Sequence, residues 1–185
     1  MLGGSFNPAH DGHRHVAELA RRRLRLDQVW LLVSPGNPLK PTGLMAPLAD
    51  RLATARAIAD GRRIVATDIE RDLGTVFTAD TVRALRRRFP CARFVWLMGA
   101  DNLVQLPRWR RWHMIVANIP FAVLPRPTYN HRALAGLVAH RLAAARLAAH
   151  RAPGLAATPA PAWAFLPVPQ HHASASAIRA ALMGV

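Results

Sequence analysis

The chain has one cysteine, Cys91, and one lysine, Lys40, among its 185 residues. A lone thiol cannot close an internal disulfide, and it excludes a four-thiolate zinc site. No apolar run approaches the ~18 residues that a membrane-spanning helix needs. The opening stretch MLGGSFNPAHDGH has neither a basic n-region nor an apolar h-region, so it does not read as a secretory signal. Hydrophobic residues make up 51% and charged residues 19%, which excludes intrinsic disorder and leaves room for a sizeable core. The expectation is a cytoplasmic, soluble protein with one domain over residues 1–185 and no membrane partner.

Acidic side chains are also scarce, with 10 Asp and Glu against 25 Lys and Arg, a formal charge of +15. Such a balance suggests a polyanionic partner, either nucleic acid or a phosphorylated small molecule. Nearly all of the positive charge is arginine, in a chain also rich in alanine, and both residues draw on GC-rich codons. The arginines are dispersed over several segments, Arg21 to Arg25, Arg86 to Arg88 and Arg108 to Arg111 among them. Solvated basic helix faces account for runs of this kind, so nucleic acid is not the expected partner.

Short apolar runs alternate with longer helical segments, the pattern of an α/β protein with a parallel sheet. A strand end at Met1 to Gly4 is followed by a Gly/Pro/Asn loop and a helix from about Gly12 to Leu26. Strands are expected at Gln28–Ser34, Arg63–Thr67, Arg93–Met98, Phe121–Leu124 and Ala164–Val168. Helices are expected at Leu48–Ala59, at Thr78–Phe89 and, from its alanine content, at Arg132–His150. The Pro/Ala-rich stretch Ala152–Ala162 reads as a surface connection.

The chemistry is concentrated in the first loop, Gly3-Gly4-Ser5-Phe6-Asn7-Pro8-Ala9-His10-Asp11-Gly12-His13. Glycines let a backbone approach a ligand closely, and the following helix N-terminus offers N–H groups and a positive dipole to a phosphate. His10 and His13 can both reach the mouth of that helix and donate to phosphate oxygens as charge builds up. Two other readings stand beside this one: zinc ligation aided by His15, and a structural loop carrying surface histidines. The loop is neither a dinucleotide GxGxxG fingerprint nor a Walker loop.

The pattern Gly4-x-Phe6-x-Pro8-x-His10-x-Gly12-His13 resembles the signature of the HxGH nucleotidyltransferase superfamily. Further segments resemble the bacterial nicotinate-nucleotide adenylyltransferase family within it. These are Asn37-Pro38-Leu39-Lys40, Thr78-Ala79-Asp80-Thr81, Gly99-Ala100-Asp101-Asn102-Leu103 with Trp109 and Trp112, and Ser174-Ala175-Ser176-Ala177-Ile178-Arg179. They follow the family's order and span almost the whole chain.

The resemblance implies a Rossmann-like, doubly wound parallel sheet with ligands at the C-terminal strand ends. It implies adenylyl transfer from ATP to nicotinate mononucleotide, with Mg2+ bound mainly through the ATP phosphates and no dedicated protein metal ligand. His10, His13, Lys40 and Arg179 would then stabilise the reacting phosphates. Gly3, Gly4, Ser5, Phe6, Gly99, Asp101, Arg126, Ser174 and Ser176 would form the ATP side. Asn37, Thr78, Trp109 and the backbone amide of Arg110 would form the nicotinate mononucleotide side. Each position also has a plainer reading: a solvated loop lysine at Lys40, helix caps at Ser174, Thr78 and Asp101, and core packing for both tryptophans.

Several positions depart from the family pattern. The first strand is short, with only Met1 and Leu2 before the glycines, as though truncated. Gly36 stands for the usual Asn or Gln, Phe77 for a common Tyr and Ala173 for Ile. Two alternatives stay open: the same fold with another acceptor, such as nicotinamide mononucleotide or 4'-phosphopantetheine, and a basic nucleic-acid-binding module without catalysis.

Overall fold

Along each central strand the side chains alternate between two separate apolar layers, so both faces of the sheet must be covered. In β2 (Val29–Val33), Val29, Leu31 and Val33 enter one layer and Leu32 the other. In β4 (Trp96–Gly99), Leu97 faces the first layer and Trp96 and Met98 the second. β5 (Phe121–Leu124) divides likewise, with Ala122 and Leu124 against Phe121 and Val123. This computed structural model describes residues 1–36 and 45–169.

The remaining strands are β1 (Leu2–Gly4), β3 (Ile64–Thr67), β6 (Arg146–Leu147) and β7 (Trp163–Phe165). All pairings are parallel, in the order β3-β2-β1-β4-β5-β7-β6. The Rossmann-like, doubly wound α/β expectation is therefore met. The first layer is closed by α1 (Asp11–Arg23) through Ala17 and Ala20, and by α2 (Leu48–Ile58) through Leu52 and Ala55. The second is closed by α4 (Thr78–Arg88), α5 (Ala100–Gln105), α6 (Trp112–Asn118), α7 (Asn130–Leu134) and α8 (Leu137–Arg141). A single turn, α3 (Ile69–Asp72), follows β3. No described helix is long and apolar enough to cross a membrane.

Two sequence expectations are corrected. The alanine-rich stretch Arg132–His150 is not one helix: it breaks at Gly136 into α7 and α8, and Arg146–Leu147 then joins the sheet edge beside Trp163–Ala164. A Cβ at position 136 would lie 3.0 Å from the Arg132 carbonyl oxygen, and the extended Gly136 begins the next helix. The Trp163 indole N–H donates to the Leu142 carbonyl at 2.8 Å, and the Arg146 guanidinium lies over the Trp163 ring. Tertiary packing thus overrides alanine's helix propensity. Nor is Ala152–Ala162 a surface connection, since a 3-10 segment at Ala149–Ala157 buries Ala152 and Leu155 in the first layer.

Candidate functional site

In a sheet of this order the strand sequence reverses between β1 and β4, and their C-terminal ends open a crevice. The loop after β1 and the turn after β4 flank it. The first carries the histidine pair; the second carries Asp101.

His10 is the N-cap of α1, and its Nδ1 accepts the Gly12 N–H at 3.1 Å. His13, three residues on, accepts the His10 backbone N–H with its own Nδ1 at 3.2 Å. The two histidines form a reciprocal capping box, a role usually taken by Ser or Thr with Glu or Gln. With both Nδ1 atoms accepting, the neutral ring of each carries its proton on Nε2, the atom able to donate to a phosphate. The rings pack at 3.9 Å between centroids, and Phe6 lies 4.9 Å from His13. Phe6 is buried with φ 46°, a left-handed conformation uncommon for a bulky residue, so the loop is firmly held by its surroundings.

Across the crevice, Gly99 ends β4 and precedes α5, whose first turn contains Asp101. Asp101 Oδ1 is buried without a hydrogen-bond partner and lies 3.6 Å from Nε of Arg126, which follows β5. A Cβ on Gly99 would run into Asp101 Oδ1 and press on Arg126 Cγ at 3.2 Å. Glycine at 99 therefore keeps clear the space in which this carboxylate and guanidinium meet. Asp101 is not the cap of α5, because the N-cap position is Gly99 and no side chain caps it. Gly3 and Gly4 lie in β1, where a Cβ would meet Trp96 at 2.8 Å and Phe6 at 3.2 Å respectively.

Of the residues expected to meet the acceptor, Thr78 is the first residue of α4, whose N-cap is Phe77 and not Thr78. The Arg110 guanidinium lies 4.6 Å above the ring of Phe77, which brings the Thr78 and Arg110 segments together. Trp109 and Trp112 are half-buried against the second layer, and Arg141 approaches the Trp112 ring at 6.0 Å. Asn37, Lys40, Ser174, Ser176 and Arg179 fall outside the described residues. Among the described residues no three His, Cys, Asp or Glu side chains converge as a metal site.

Two buried charged groups near this region gave no sequence signal. Arg51 of α2 is 2% exposed, and Glu70 of α3 is 6% exposed. Glu70 Oε1 accepts the Thr81 hydroxyl at 2.9 Å, which anchors the turn before Phe77 and Thr78. Burial raises the Glu70 pKa, and hydrogen bonds from Thr81 and Ser34 offset only part of that rise. The folded state therefore binds a proton that the unfolded state releases, and stability is lost as pH rises through the folded pKa. Glu70→Gln keeps an acceptor for Thr81 and removes the charge. Its melting temperature relative to wild type is expected to improve from pH 5 to pH 8, measured by thermal denaturation across that range.

Three comparisons bear on this arrangement. The cytidylyltransferase-like family model matches residues 1–181. A protein of Gluconacetobacter diazotrophicus named "Probable nicotinate-nucleotide adenylyltransferase" is 60% identical over 99% of this chain and 85% of its own length. One of the same name from Gluconobacter oxydans is 58% identical over 97% and 92% respectively. The solved structure of Plasmodium falciparum nicotinic acid mononucleotide adenylyltransferase complexed with NaAD shares the fold at TM-score 0.69. It is 15% identical and covers 96% of this chain and 80% of its own.

Proposed function

Since the chain belongs to the nicotinate-nucleotide adenylyltransferase family within the cytidylyltransferase-like group, we propose that it transfers the adenylyl group of ATP to nicotinate mononucleotide in NAD biosynthesis. We read residues 1–185 as one cytoplasmic nucleotidyltransferase domain. The observation that carries the reading is the pairing of His10 and His13 on one side of the β1/β4 crevice with Asp101 on the other.

The acceptor's phosphate oxygen attacks the α-phosphorus of ATP in line. A new P–O bond forms as the bond from the α-phosphorus to the bridging oxygen breaks, and pyrophosphate leaves with that electron pair. No covalent enzyme intermediate is needed, so orientation and charge stabilisation carry the catalysis. Nε2–H of His10 and of His13 donate to the phosphate oxygens, which gain charge in the transition state. Asp101 accepts from the ribose hydroxyls, and Arg126 holds that carboxylate in place. Gly3, Gly4, Ser5 and Phe6 shape the backbone wall of the nucleotide cleft. Lys40, Arg179, Ser174 and Ser176 serve the phosphates, and Asn37 the acceptor, on the strength of their matched motifs. The described carboxylates form no cage for a hard cation. Mg2+, bound mainly through the ATP phosphates rather than by a dedicated protein cage, would supply charge neutralisation to the pyrophosphate leaving group.

Thr78 and the Arg110 amide recognise the nicotinate carboxylate, and Trp109 stacks on the pyridine ring. The Arg110 guanidinium over Phe77 adds positive potential at this end, which supports preference for the acid over the amide. The test is pyrophosphate release from ATP and magnesium with nicotinate mononucleotide or its amide as acceptor. Faster turnover of the acid is expected, and Thr78→Val is expected to reduce the acid-to-amide ratio of kcat/KM by about ten-fold, one charged hydrogen bond's worth. Equal turnover of both acceptors by wild type would overturn the account of Thr78.

A further inference from the structure

A buried guanidinium with no carboxylate beside it needs a reason to be there, and Arg51 is such a group: it is 2% exposed, and among the described residues no Asp or Glu lies within ion-pair distance of it. Among the described residues its hydrogen-bond partners are backbone carbonyls. Nε donates to Ala46 at 2.8 Å, Nη1 to Ser5 at 2.7 Å and Ser34 at 2.8 Å, and Nη2 to Pro35 at 3.3 Å. Ser5 belongs to the loop that leads from β1 to the histidines. Ser34 and Pro35 follow β2, and Ala46 precedes α2. Burial lowers the Arg51 pKa from the ordinary guanidinium value, yet an arginine stays charged under physiological conditions.

The same face of α2 grips the histidine loop a second time. Thr54, three residues after Arg51, accepts the Ala9 N–H at 3.2 Å, one residue before His10, and its hydroxyl donates back to the Arg51 carbonyl at 2.9 Å. Asn7 Oδ1 accepts the Ala46 N–H at 3.2 Å, which ties the loop to the start of α2 once more. The loop is thus held at Ser5, Asn7 and Ala9, ahead of the capped helix that carries His13.

Building on the adenylyl-transfer reading, we propose that Arg51 is a positioning residue for catalysis: its planar fork locks the β1 loop to the β2 exit and thereby sets where His10 and His13 stand relative to the reacting phosphates. It touches no substrate in this account. A cation on the Ser5 carbonyl also polarises the Ser5–Phe6 peptide, which strengthens the Phe6 N–H as a donor. Only arginine offers donors in a rigid fork that can serve four carbonyls from one site; a lysine ammonium has three donors and a shorter reach.

The test compares Arg51→Lys, Arg51→Met and Thr54→Val with wild type. Three readouts are taken: steady-state kinetics, binding stoichiometry for nicotinate adenine dinucleotide by calorimetry, and histidine ring proton resonances assigned with His13→Gln. Arg51→Lys is expected to lower kcat at least ten-fold, to leave KM for nicotinate mononucleotide within two-fold, and to retain one binding site per chain. The His10 and His13 resonances are expected to move. Thr54→Val should give a smaller kcat loss in the same direction, and both variants carry the test should Arg51→Met not fold. Unchanged kcat in folded Arg51→Lys, or a kcat loss matched by an equal loss of binding sites, would overturn the proposal. If wild type itself turns over neither acceptor, the functional reading fails; unmoved His10 and His13 resonances in Arg51→Lys would then overturn the positioning role separately.

Discussion

His13→Ala is expected to lower kcat by about 10²- to 10³-fold, the usual loss when one preorganised donor to a developing oxyanion is removed. The side chain has a donor role toward phosphate and a structural role, and this change removes both together. Its Nδ1 accepts the His10 N–H, and its ring packs on His10 and Phe6. Alanine also leaves the start of α1 short of a cap, at a cost of about 1 kcal/mol. His13→Gln separates the roles, because a glutamine at the third helical position can reach back to the N-cap amide as in an ordinary capping box. The melting temperature of His13→Gln should recover most of what alanine loses, while kcat should stay at least ten-fold below wild type. Recovery of kcat along with stability would mean that His13 acts only by capping.

Gly3→Ala is expected to be the most destabilising conservative change in the sheet. Its Cβ would stand 2.8 and 2.9 Å from two ring carbons of Trp96. Trp96 is fully enclosed in the second layer, and β1 is fixed between β2 and β4, so neither partner can withdraw freely. Overpacking of this kind costs about 1–3 kcal/mol. In a chain of this size each kcal/mol lowers Tm by about 2–4 °C. Trp96→Phe removes the ring carbons in question, so the double variant should be less destabilised than the sum of the two single ones. Denaturant titration of all four proteins measures this directly, and strict additivity would refute the clash.

The contrast between Gly3 and its reading from sequence shows where legibility ends. The glycine pair before the histidines reads from the sequence as a device for close approach to a ligand, and the structure adds a second close approach, to aromatic rings. That Gly3 approaches an indole in the core depends on β4 lying beside β1, with residues 1 and 95 brought into hydrogen-bonding contact. The strands were legible because buried parallel strands are apolar throughout, and α4 because its apolar positions recur at helical spacing. Arg51 was not legible, since a buried arginine and a solvated one look alike within the short helix LADRLATARAI. The Asp101–Arg126 contact joins residues 25 positions apart across two adjacent strand ends, so it follows from topology alone. Alanine content misled at Arg132–His150, where Trp163 and the sheet edge decide the conformation instead.

The placement of β1 between β2 and β4 has a consequence for how the chain comes together on the ribosome. β1 is made before either neighbour; its pairing with β2 spans some thirty residues, but its other edge waits for residue 97. Until then a parallel ribbon of β3, β2 and β1 has an open flank of unpaired amides next to the histidine loop. Contacts that close over so much chain are entropically late, and parallel sheets of this kind form slowly. The crevice between β1 and β4 is therefore created in the same event that seals the middle of the sheet, so nascent chains shorter than about β4 can carry the histidine loop but not the crevice it flanks.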